Sequence, residues 1–153
     1  MSFGDVQTAL KNRARHWEAE PADLGLSLVD LSLAPDVTSV LIDARDNFVY
    51  TLWIDLIQNA ATVGSISLFA DLYARDGETL IEAVLLVSAM VPTSDNQVKL
   101  QFGEGITERI VGTGTIGPEL ASLKLLQLCR LRVVKDTPAD QAATLSVRMQ
   151  FGD

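Results

Sequence analysis

The chain holds one cysteine and one histidine among its 153 residues. A lone cysteine excludes an intrachain disulfide and any thiolate cage for zinc. A lone histidine leaves too few imidazoles for a transition-metal centre. Basic residues are the minority, 12 Lys and Arg against 20 Asp and Glu, for a net charge of −8. A surface of that sign repels phosphate, so nucleic acid and anionic membranes are not expected partners. Long apolar runs are missing too. Ala83 to Val91 is the nearest, and it is interrupted by Ser88 and far short of the ~18 residues a span needs. Met1 to Lys11 carries no apolar signal core. The expectation is synthesis in the cytoplasm without a signal peptide, with a virion as a further destination.

Catalytic patterns are equally scarce. The chain has no Gly-x-Ser-x-Gly elbow and no Walker-type loop. In Gly112-Thr113-Gly114-Thr115-Ile116-Gly117 the third glycine falls one residue early for a dinucleotide loop, and a glycine-kinked strand reads better. His16 is remote in sequence from Cys129, which sits on the apolar parity of a strand, where a thiol behaves as a small hydrophobe. Glu78 and Glu82 share a strand parity beside a turn and read as a solvated or edge-protecting pair. Asp43, Asp46 and Asn47, with Asp95 and Asn96 elsewhere, are the nearest calcium-like clusters; turn formation explains them without a metal. No enzyme activity, cofactor or metal is expected.

What the chain does have is alternation. Phe48, Tyr50, Leu52, Ile54 and Leu56 recur at period two, as do Ile66, Leu68, Ala70, Leu72 and Ala74. With Asn59 to Gly64 turn-like between them, the unit Phe48 to Ala74 is predicted to be a β-hairpin. Arg75-Asp76-Gly77 signals a tight turn. Residues 78–91 fit strand or helix, and β-branched content tips them toward strand. Val98, Leu100 and Phe102 mark a strand with one wet face, and Ala143, Leu145, Val147, Met149 and Phe151 mark the last. The strand around Cys129 to Val133 shares the polarity of that last strand, so the two are expected to pair. Leu24 to Leu33 reads as a strand with a bulge, followed by a second strand over Val40 to Ala44. Asp5 to Glu20 is the one helix candidate, with Val6, Leu10, Ala14 and Trp17 in a stripe and Pro21 as its end. Lys11, Arg13, Arg15 and His16 make it locally basic. It either packs on its own domain or forms an arm that docks on an acidic neighbouring subunit.

The fold expected is all-β: an antiparallel β-sandwich, jelly-roll or Ig-like, of about eight strands, with residues 1–22 as a helix or arm and 23–153 as one domain. In the hairpin register, Trp53 faces Phe69 and Tyr73 lies on the same otherwise polar side. These three, with Trp17, are the predicted partner- or ligand-binding residues. Two functions follow. One is a non-catalytic structural or assembly protein working through protein–protein contacts, a homo-oligomer or a subunit of a viral or bacteriophage particle (capsid, decoration or tail component). The other is a carbohydrate-binding module with a stacking platform, against which the 6 % aromatic content weighs.

Overall fold

A computed structural model of the chain describes residues 17–32, 36–45, 48–59, 64–92, 96–120, 123, 126–135 and 143–151. Among these residues, twelve strands form two antiparallel six-stranded sheets, more than the expected eight: Trp17–Ala19 and Asp36–Thr38 are strands where none was expected, and the glycine-kinked segment holds two, Arg109–Val111 and Thr115–Ile116. The first sheet runs β1 (Trp17–Ala19), β12 (Ala143–Phe151), β5 (Val49–Gln58), β8 (Asn96–Gly103), β9 (Arg109–Val111), with β2 (Val29–Asp30) also on β12. The second runs β10 (Thr115–Ile116), β7 (Leu80–Met90), β6 (Ile66–Tyr73), β11 (Leu128–Lys135), β3 (Asp36–Thr38), with β4 (Ile42–Asp43) also on β11.

The long strands β5, β6, β8, β11 and β12 turn their apolar parity toward one hydrophobic cluster that draws on both sheets, and β7 adds Leu86, Val87 and Met90 across an irregular register with β6. Tyr50, Leu52, Ile54 and Leu56 enter it from β5, Val98, Leu100 and Phe102 from β8, and Ile66, Leu68 and Ala70 from β6. At one end, the Tyr50 ring stands edge-on to Phe151 at 5.8 Å and tilted against Phe102 at 5.3 Å.

The expected hairpin is not formed. β5 and β6 are both present but belong to different sheets: β5 pairs with β12 and β8, and β6 with β7 and β11. β11 and β12 likewise lie in separate sheets rather than pairing. In both cases two amphipathic strands joined by a short link satisfy their apolar faces as well from separate sheets as from one ribbon.

The turn at Asp76-Gly77 does join a hairpin, β6 to β7. The Asp76 carboxylate accepts from Glu78 N and Thr79 N, both at 2.9 Å, and from Thr79 Oγ1 at 2.6 Å. Those donors, Thr79 foremost, hold its pKa down at about 2. Of residues 78–91, Leu80–Met90 form strand β7 and none is helical.

Upstream, three expectations are corrected. The helix proposed over Asp5 to Glu20 lies largely outside the described residues, but its last residues, Trp17–Ala19, are strand β1. Pro21 begins a helix, α1 (Pro21–Leu24), rather than ending one, since a first-turn residue needs no N–H. Leu24 to Leu33 is therefore not a bulged strand. Gly25 closes α1 at φ 73°, Leu24 and Leu26 enter the core, and Leu28 turns outward at φ 49°. The strand expected over Val40 to Ala44 is reduced to β4, behind a break at Ser39. There, Ser39 N donates to Leu131 O at 2.8 Å, and Leu131 N donates to Ser39 Oγ at 2.9 Å, so a hydroxyl takes the place of a ladder carbonyl.

Gly112 and Gly114, at φ 105° and 118°, carry the chain from β9 in one sheet to β10 in the other. A Cβ at Gly117 would collide with Leu85 O, so this edge is built on close backbone approach.

Candidate functional site

The residues singled out from the sequence separate in the fold. Trp53 lies on β5, on the face turned away from the hydrophobic cluster, between cross-strand neighbours Lys99 on β8 and Arg148 on β12. Lys99 Nζ sits 4.6 Å from the ring centroid and Arg148 Cζ 5.2 Å. Trp53 Nε1 reaches Gln150 Oε1 at 3.4 Å. Arg148 Nε is 2.9 Å from Glu18 Oε1, an ion pair without hydrogen-bond alignment. Around them Gln97 donates to Asp55 at 2.9 Å and Gln101 to Thr51 at 3.4 Å.

Phe69 and Tyr73 are on β6, in the other sheet, so neither lies opposite Trp53. The expected aromatic pair was a product of the hairpin register, and it disappears with that register. These rings are flanked by cations as well. Arg132 Cζ lies 4.6 Å from the Phe69 centroid, and Arg130 Cζ 5.9 Å from that of Tyr73. Arg132 also grips the buried Asp71 through two bonds, 2.9 and 3.2 Å, and Arg130 donates to Ser39 O at 3.1 Å. Trp17 falls in β1 opposite Phe151, at the margin of the first sheet.

The outer surfaces of both sheets are thus laced by cations lying against aromatic rings, each contact worth about 0.5–1 kcal/mol where exposed. The cations were missed as a set in the sequence. Their signal was present: Lys99, Arg130, Arg132 and Arg148 occupy the polar parity of their strands, and the correct register puts them beside the rings.

The chemistry-bearing groups stay apart. Cys129 is buried in β11, and burial pushes its thiol up to about 12, with Asp43 and Asp71 adding to the effect. His16 lies outside the described residues, as do Asp46, Asn47 and Asp95. Asp43 is held by Arg45 through bonds of 2.8 and 2.7 Å. Among the described residues no group of three or more His, Cys, Asp or Glu side chains could hold a metal ion. Among them, too, no helix is long and apolar enough to cross a membrane.

One margin of the second sheet is different. β7 pairs with β10 only through Ser88 and Val87, and Gly117 N adds a bond to Leu86 O at 2.9 Å. Beyond that, from Leu80 to Val84, no described strand pairs with β7 on the side away from β6. Leu80 and Ile81 are 54 % and 68 % exposed. A shallow cavity of about 90 Å³ opens beside them, lined by Glu82, Val84, Glu119 and Leu123. No family model matches this chain, and the comparisons with curated proteins and with solved structures found no match either.

Proposed function

We propose that this chain is a non-catalytic structural or assembly protein that works through protein–protein contacts, as a subunit of a homo-oligomer or of a larger particle. A viral or bacteriophage capsid, decoration or tail component is the form that fits a compact all-β subunit. We read its two sheets as packed face to face in a β-sandwich, because one hydrophobic cluster draws on both and Tyr50 hydrogen-bonds from one to the segment entering the other.

The observation that carries the functional reading is the open margin of β7. Unpaired edges are normally blunted by charged side chains, proline or a covering loop. This one presents Leu80 and Ile81 to solvent, and from Leu80 to Val84 its only such protection is the single charge of Glu82. Light scattering across a wide concentration range tests the reading. A mass above that of one chain, or a stable complex with a partner protein, supports it; a strictly single-chain mass and no captured partner would sink it.

The carbohydrate reading rests on Trp53 alone, since Phe69 and Tyr73 are in the other sheet. Stacking a sugar requires a bare ring, and Lys99 and Arg148 already lie against this one. The assembly reading is the stronger of the two.

A further inference from the structure

We propose that Asp76–Gly77 is a site of spontaneous isoaspartate formation, and that the folded β6–β7 turn suppresses the reaction through Thr79.

Asp-Gly occurs once in the chain. Such a pair is chemically labile because glycine puts no side chain in the way of its own amide nitrogen. Gly77 N attacks Cγ of the Asp76 carboxyl in its neutral form, and an N–Cγ bond closes a succinimide ring. The carboxyl hydroxyl and the amide proton leave together as water. Water then opens the ring at one of its two carbonyls. Breaking the N–Cγ bond regenerates aspartate. Breaking the bond from nitrogen to the former main-chain carbonyl leaves the chain running through Cβ and Cγ, with the old α-carboxyl as side chain. No oxidant, reductant or cofactor takes part.

The turn requires both members of the pair. Gly77 sits at φ 71°, in the left-handed region, and a Cβ there would lie 3.0 Å from Leu41 Cδ2. The Asp76 carboxylate supplies an acceptor to Glu78 N and Thr79 N, both at 2.9 Å. Asp76 is also exposed, so water reaches it.

The same turn opposes ring closure. Asp76 Oδ1 is directed past Gly77 to the two amides, and Oδ2 is held by Thr79 Oγ1 at 2.6 Å. Cγ must leave all three donors to meet Gly77 N, whose own N–H is donated to Ala74 O at 2.9 Å. Those donors, the Thr79 hydroxyl foremost, hold the pKa at about 2, and an ionised carboxylate is a far poorer electrophile than the neutral acid. Closure therefore waits on local opening of the turn. Isoaspartate adds a methylene to the main chain and lacks the carboxylate that the three donors face, so it does not rebuild this turn. Among the described strands only β6 flanks Leu80 to Val84, and loss of the turn falls on that stretch.

Electron-transfer fragmentation, which separates isoaspartate from aspartate at equal mass, tests this on the full chain aged at neutral pH with and without urea. Each pKa unit that the turn releases makes the neutral acid about tenfold more abundant, so residue 76 should isomerise about tenfold or more faster in urea than in the folded chain. Thr79→Val, shown folded by circular dichroism, should age severalfold faster than wild type, and Thr79→Ser should return to the wild-type rate. The urea comparison decides even where Thr79→Val does not fold. A folded chain that ages as fast as the unfolded one, or a folded Thr79→Val no faster than wild type, would overturn the protective role. No isoaspartate at residue 76 even in urea would overturn the site itself.

Discussion

The Tyr50 hydroxyl accepts a hydrogen bond from Leu126 N at 3.1 Å, tying the middle strand of one sheet to the segment that enters the other. Both residues are fully buried. Tyr50→Phe keeps the ring contacts but leaves the Leu126 N–H without an acceptor, at a cost of about 1–3 kcal/mol. Urea denaturation should show a lower midpoint with an unchanged m-value. An unchanged midpoint would mean the bond contributes nothing.

Two buried groups make the fold sensitive to alkali. Burial raises Cys129 from 9.0 to about 12 and Tyr50 from 10.0 to about 12. A group whose folded pKa is raised contributes stability that is complete below its unfolded value and is lost as pH climbs toward the folded one. Stability should therefore hold to about pH 9 and then decline toward pH 12, at roughly 1.4 kcal/mol per pH unit for each group in its window. In Cys129→Ala the decline should begin nearer pH 10. Denaturation midpoints from pH 8 to 11 would check this, and a profile flat to pH 11 would refute it.

Arg132 holds two groups at once, the buried carboxylate of Asp71 and the face of Phe69. Removing it with Arg132→Leu strands Asp71 without its partner, at a cost of about 3 kcal/mol. Asp71→Asn in the same chain should return part of that loss. If the double variant is no more stable than the single, the pair is not coupled.

Two glycines should respond unequally to alanine. At Gly117 a methyl group runs into Leu85 O, main chain that cannot step aside. At Gly105, φ is 82° but nothing lies within 4 Å of the new atom. Gly105→Ala should cost about 1–2 kcal/mol, the strain of a left-handed residue. Gly117→Ala should cost clearly more, read as the difference between their thermal midpoints.

Trp53 supplies a direct test of the rejected alternative. Because Lys99 and Arg148 lie against the ring, indole fluorescence should not respond to a broad panel of glycans. A saturable shift that disappears in Trp53→Ala would revive the stacking platform.

The strands themselves were legible because each buries one face. Alternation from Tyr50 to Leu56 and from Ala143 to Phe151 marks which side chains turn inward, and the fold agrees. Partners were not legible. Period two fixes a face but says nothing about which neighbour lies alongside, so β5 and β6 read as a ribbon when each is the centre of its own sheet. The error carried into the candidate site, where Trp53 gained Phe69 as a neighbour and lost Lys99 and Arg148. Pro21 misled for a related reason: the same ring that ends one helix suits the first turn of another.

The place of β12 has a consequence for biosynthesis. This strand is the last described, yet it lies between β1 and β5 near the middle of its sheet. While the ribosome is still producing residues 143–151, the long flank of β5 and the whole of β1 wait without a neighbour. Such waiting flanks invite off-pathway pairing, and contacts this distant in sequence form slowly. Yield in cells should therefore depend on the temperature and rate of expression more than on the stability of the finished molecule. A chain stopped short of residue 143 should be recovered as aggregate.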